Sequence, residues 1–152
     1  MSGEMIQSVL RANREVLDQA LPSFRRSVDK CRSLIIFEPR SFEVEESFDA
    51  LTSKFARVAD IFTQKVLKSL VLLTREDAPT FVDRMNLCEK LGVIPSAADL
   101  IEIRDLRNQI AHEYLVENLT EIYGDCLALS EKLMASIHAS NPVIDRILKG
   151  GF

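Results

Sequence analysis

Near the N-terminus, apolar residues recur at three- and four-residue steps: Ile6, Leu10, Leu17, Leu21, Phe24, Val28, Cys31 and Ile35, with Asn13 in the same register. Side chains at that spacing share one stripe of a helix. Pro22 interrupts the stretch and predicts a kink, or a break at which it opens a second segment. "FEPRSFEVEES" (37–47) ends the helix, because Pro39 cannot continue it and pushes the preceding residue into extended geometry. A second stripe follows in Phe48, Leu51, Phe55, Val58, Phe62, Val66, Leu70 and Leu73. Two long helices with matching seams and a link of roughly ten residues pack most simply as an antiparallel pair. Phe42, Phe48, Phe55 and Phe62 are read as core, given the area each removes from water.

"REDAPTF" (75–81) is the next breaker. Asp77 is a candidate cap, with Pro79 in the first turn of a short helix that stops at Gly92. Ser96 then caps a helix from about Ala97 to about Leu115, and Asn118 caps a last long helix from Leu119 to about Ala139. Glu121, three residues after Asn118, has the capping-box spacing. "NPVIDRILKGGF" (141–152) reads as a short helical or frayed tail. No repeat or linker divides the chain, so the expectation is one domain over residues 1–152, an all-α antiparallel bundle of four to five helices.

Composition narrows this picture little. At 152 residues, 47% hydrophobic and 28% charged, the chain is long enough to bury a core and is not disordered in composition. Five Gly and five Pro leave little room for a turn-rich β fold. A net charge of −4 argues against a broad basic coat for nucleic acid but not against a local basic site. The basic residues of "FRRSVDKCR" (Arg25, Arg26, Lys30, Arg32) read as a solvated helix face that could also track a nucleic-acid backbone. Cys31, Cys88 and Cys126 are odd in number and widely spaced, which predicts free, buried thiols. Charges interrupt the N-terminus where a signal peptide is apolar, and the run "VLKSLVLL" is too short for a membrane span. A cytoplasmic protein without a membrane partner is expected.

The stretch that departs from ordinary amphipathic sequence is "RNQIAHEY" (107–114). At about 100° per residue, Leu100, Ile103, Leu106 and Ile110 define a buried arc into which Arg107 and Tyr114 also point. An arginine there needs a partner. The plain reading is a structural ion pair with a carboxylate such as Asp105 or Glu46. Arg104, Asn108 and His112 share a different stripe, and His112 diverges from Arg107 by roughly 140°. One regular helix therefore cannot close Arg107 and His112 on a single phosphate-sized target. Either the helix is distorted, or a second copy completes the site across a two-fold axis.

The residue types suit cleavage of RNA without a metal or cofactor. A histidine can take the proton from a 2′-hydroxyl or protonate the leaving oxygen. A guanidinium fork holds the phosphate as charge builds, and Asn108 can orient the imidazole or donate to a phosphate oxygen. Of the two histidines, His138 lies far along the last helix, so His112 is the candidate.

"RNQIAHEY" resembles the signature of HEPN domains: an arginine, a polar residue and then a histidine, here Arg107, Asn108 and His112. Glu113 and Tyr114 extend the match to the Arg-x4-His-x-Tyr form of HepT-type toxins. The resemblance implies a helical bundle and a metal-independent endoribonuclease toxin. It also implies a homodimer with the site at its interface, an RNA substrate, and catalysis by Arg107 and His112 with Asn108 in support; Arg104, on the stripe of Asn108 and His112, is a further supporting candidate. It further implies, as antitoxin, a minimal nucleotidyltransferase that attaches AMP to the motif tyrosine, here Tyr114. No Gly-Ser followed by paired aspartates occurs, so the transferase itself is not in this chain. Other HEPN domains serve as nucleotide-binding or scaffolding partners, so the alternative is a non-catalytic helical domain that binds a nucleotide or a nucleotidyltransferase.

Overall fold

The computed structural model describes residues 2–112 and 119–150. Among these residues the fold is an all-α helical bundle without a strand. Helix α1 runs Gly3–Arg32, and α2 runs Phe42–Asp60. A π-helical segment, Ile61–Leu67, carries α2 without interruption into α3, Lys68–Thr74. Then come α4 (Phe81–Lys90), α5 (Ala97–His112) and α6 (Leu119–Gly150). None of the described helices is long and apolar enough to cross a membrane.

The first two stripes pack as expected. Leu10, Leu17, Leu21, Phe24, Val28 and Cys31 of α1 are buried against Phe48, Leu51, Phe55 and Val58 of α2 in one core. The antiparallel register shows in side-chain bonds: Lys54 Nζ donates to Ser27 Oγ at 2.9 Å, and Cys31 Sγ to the Ser47 carbonyl at 3.4 Å. Asn13, the polar member of the first stripe, donates to the carbonyl of Lys65 at 3.2 Å. It meets the one place along α2–α3 where the helix is wound differently.

Several expectations are corrected. Of the kink or break expected at Pro22, the break does not occur: Pro22 lies on the exposed face of a helix that runs on to Arg32, while Leu21 and Phe24 are buried on the core side. The helix nevertheless stops at Arg32, short of Ile35, which is exposed. Phe42 is not core but 75% exposed. It directly follows the cap Ser41, and lies nine residues before Leu51, roughly on the opposite face. Helix α4 is capped by Thr80 rather than Asp77, in a reciprocal box with Asp83, so Pro79 stands before the cap and not inside the helix.

The last concerns the tail. Helix α6 passes through Pro142 to Gly150, and Ile144 and Ile147 are fully buried. Gln7 and Arg11 of α1 take up the carbonyls of Ile147 and Leu148, each at 3.3 Å, and Arg14 pairs with Asp145. These contacts fasten the last turns of α6 to α1. His138 is consequently an exposed residue within α6, not one near a loose end. The three cysteines are free and buried. Gly92 takes φ 76°, suited to the stop assigned to it, and Ser96 Oγ accepts from the Asp99 amide at 3.2 Å.

Candidate functional site

Helix α5 is buried along Ala97, Leu100, Ile103 and Leu106. Arg107 follows Leu106 and emerges at the edge of that buried face. Its guanidinium meets α2: Nε donates to Asp60 Oδ1 at 2.8 Å and Nη2 to Asp60 Oδ2 at 2.7 Å. This side-on, two-point pair differs from the expected partners. Asp105 lies instead 3.6 Å from Arg104 of its own helix, and no described contact joins Arg107 to Glu46. The hydrogen bonds to Asp60 raise the pKa of Arg107 further, so it is a fixed cation at any working pH.

Asp60 is the last residue of α2 before the π segment. The winding follows from spacing. From Val58 onward the buried positions Phe62, Val66 and Leu70 recur every four residues, which drifts off a regular α-helical stripe. A wider π turn brings them back into line. Thr63 Oγ1 donates to the Ala59 carbonyl and Ser69 Oγ to the Lys65 carbonyl, both at 2.8 Å, which helps satisfy the backbone at the two ends of the segment.

Between the π segment and α5 lies an open pocket of about 330 Å³. Arg104, Arg107 and Asn108 line it from α5, and Asp60, Gln64 and Lys65 from the other side. Arg104 is held by its own means: its guanidinium carbon sits 4.5 Å from the centre of the Phe81 ring, a cation–π contact. Three cations thus face one carboxylate in a chain whose net charge is −4. An amide on each wall adds donors and acceptors. Such a set can bind an anion with oxygens to spare, a phosphate above all.

The structure therefore joins Arg104, Arg107 and Asn108, which the helical-wheel reading had divided between two stripes. It does not bring His112 into the pocket lining. α5 remains a regular α-helix through His112, so no distortion of that helix closes the gap, and the imidazole is exposed at its end. The irregular winding occurs instead in the facing element. Tyr114, the predicted modification site, lies outside the described residues, as does the expected cap Asn118. The other tyrosine, Tyr123, is fully buried, stacks on Phe48 and donates to Asp49 at 2.6 Å. Asp60 and Lys65 were missed by sequence reasoning. The signal available was an acid set among Val58, Ala59, Ile61 and Phe62, just where the four-residue spacing begins.

The chain matches no protein-family model, and no curated protein matches it.

Proposed function

We propose that this chain is a metal-independent endoribonuclease that acts as a homodimer in the cytoplasm, as the toxin of a toxin–antitoxin pair. The observation that carries the reading is the gathering of Arg104, Arg107, Asn108 and Lys65 around one open pocket, with Arg107 fixed by Asp60. Arg107 and Arg104 hold the scissile phosphate, and Asn108 donates to one of its oxygens. An imidazole takes the proton from the 2′-hydroxyl, the 2′ oxygen attacks phosphorus, and the 5′ oxygen leaves with a proton from a second acid. The products are a 2′,3′-cyclic phosphate and a 5′-hydroxyl. One His112 cannot serve as base and acid in the same step, and a two-fold dimer supplies two.

The test is RNA incubated in EDTA with wild type, His112→Ala and Arg107→Ala. Wild type should cleave, and His112→Ala should be slower by ~10²–10⁴. Cleavage by His112→Ala at the wild-type rate would overturn the assignment. The partner expected for regulation is a minimal nucleotidyltransferase that adds AMP from ATP to Tyr114. Tyr114→Phe should remain active and gain no adenylyl mass. Tyr123 is a poor rival acceptor, because its hydroxyl is buried against Asp49.

A second reading is favoured by one observation: the pocket is built within a single chain and is complete without His112. In that case the chain is a non-catalytic adaptor that binds a nucleotide or a nucleotidyltransferase. It then binds AMP or ATP with an affinity that Arg107→Ala lowers and His112→Ala leaves unchanged, and cleaves nothing.

A further inference from the structure

We infer that Asp60 is a positioning residue of this site: it grips the Nε/Nη2 edge of Arg107 and thereby presents the adjoining Nη1/Nη2 edge as a fork for a phosphate. The inference deepens the reading above and rests on Arg107 being the phosphate-holding group.

A guanidinium carries five N–H donors on a rigid plane. The bonds from Nε and Nη2 to Asp60 use one side of that plane. One proton of Nη1 and the second proton of Nη2 lie side by side as a second two-point edge, which no bond among the described residues uses, and the other Nη1 proton points back toward Cδ. A carboxylate clamped side-on therefore leaves the cation able to bind an anion and removes its freedom to swing. Immobilising a long side chain beforehand lowers the entropy lost when the anion arrives.

A purely structural role explains the pair less well. The side chains of Arg107 and Asp60 are 32% and 42% exposed, and ion pairs with that much access to water contribute only ~0–1 kcal/mol to stability. Asp60 stands immediately before a π segment, a winding that is uncommon and concentrates at functional sites. The same segment brings Gln64 and Lys65 to the pocket. Nor does the carboxylate cancel the site, since Arg104 and Lys65 remain beside it. Arg104 is itself held over Phe81 and has an Nε without a hydrogen-bond partner among the described residues. Two arginines are thus fixed by different devices, one by a carboxylate and one by a ring, around one space.

The test uses inorganic phosphate as probe and the ¹⁵N side-chain signals of Arg107 as readout, on the full chain. Wild type should show a saturable shift of the Arg107 signal. Asp60→Asn replaces one acceptor oxygen with an amide that opposes the guanidinium, and should bind phosphate about tenfold more weakly or worse at an unchanged thermal midpoint. Asp60→Glu, which keeps the carboxylate, should recover part of the loss. Three results overturn the inference. Asp60→Asn that binds phosphate as tightly as wild type, or tighter, makes Asp60 a bystander or a competitor. An Asp60→Asn chain that unfolds makes the carboxylate a prop of the fold. A wild-type Arg107 signal indifferent to phosphate removes the fork altogether. RNA cleavage by the same samples keeps the two readings apart: phosphate binding that depends on Asp60, in a chain that cuts no RNA, retains the role of Asp60 and discards the nuclease.

Discussion

Of the arginines paired to acids, Arg40 and Arg107 sit in opposite circumstances. Arg40, in the link between α1 and α2, has a side chain only 1% exposed. It donates to the Ile36 carbonyl at 2.7 Å and to Thr120 Oγ1 at 2.6 Å, pairs with Glu38, and lies over the ring of Tyr123. Tyr123 in turn stacks on Phe48 and bonds Asp49. The whole cluster clasps the link and the start of α2 to the first turns of α6. Arg107 is held on one edge by Asp60, a third exposed, at the rim of a pocket. A charge bonded on several sides and closed off from water holds a fold; a charge bonded on one side and open on the other can hold a ligand.

That contrast can be broken by substitution. Arg40→Ala should cost about 2–3 kcal/mol in urea unfolding, since it leaves the Ile36 carbonyl without its donor and empties the space over Tyr123, while the exposed Glu38 and Glu45 regain water. RNA cleavage per folded molecule should be unchanged. A loss near that of a surface residue would mean the clasp is idle. Tyr123→Phe should cost about 1 kcal/mol, because the exposed Asp49 regains water when the hydroxyl is removed.

The same region predicts a response to alkali. Burial, then the bond to Asp49, pushes the Tyr123 phenol well above its ordinary value near 10. Burial pushes the Cys88 and Cys126 thiols from an ordinary 9.0 up to about 12. These raised values mean that the folded chain keeps protons which the unfolded chain releases. Their stabilisation is full below pH 9 and is lost as pH rises through the cysteine range and then the tyrosine range. Urea midpoints should be flat up to that point and fall beyond it, and Tyr123→Phe should lessen the fall above pH 10. A midpoint that holds steady to pH 11 or so contradicts the burial of these groups. The smallest effect is reserved for Arg107→Ala, whose unfolding free energy should change by under ~1 kcal/mol.

The long helices were legible because burial needs a repeating stripe, and α1 and α2 carry theirs in large apolar residues. The end of α6 hid its stripe: Leu133, Ile137, Ser140, Ile144 and Ile147 keep the same three-four spacing, but a fully buried serine breaks the apolar run and Pro142 adds a false stop. That serine returns its hydroxyl to the Ile137 carbonyl at 2.7 Å, which is why it tolerates burial. On α5 the positions of Arg104, Arg107 and Asn108 could be read from the sequence, but the partner of Arg107 could not. Asp60 is 47 residues away, and its position opposite Arg107 is a matter of tertiary packing and of a π turn that ideal-helix angles do not contain. The roles of His112 and Tyr114 rest on chemistry and resemblance.

On the proposed function, the Arg107 end of the molecule works on a phosphodiester while the Arg40 end holds it together. The most direct measurement is RNA cleavage in EDTA by wild type and Arg107→Ala at equal folded concentration, with thermal midpoints taken on the same samples. Wild type should cleave, Arg107→Ala should not, and their midpoints should nearly coincide. Undiminished cleavage by Arg107→Ala, or a fall in midpoint as large as that of Arg40→Ala, would contradict the proposal.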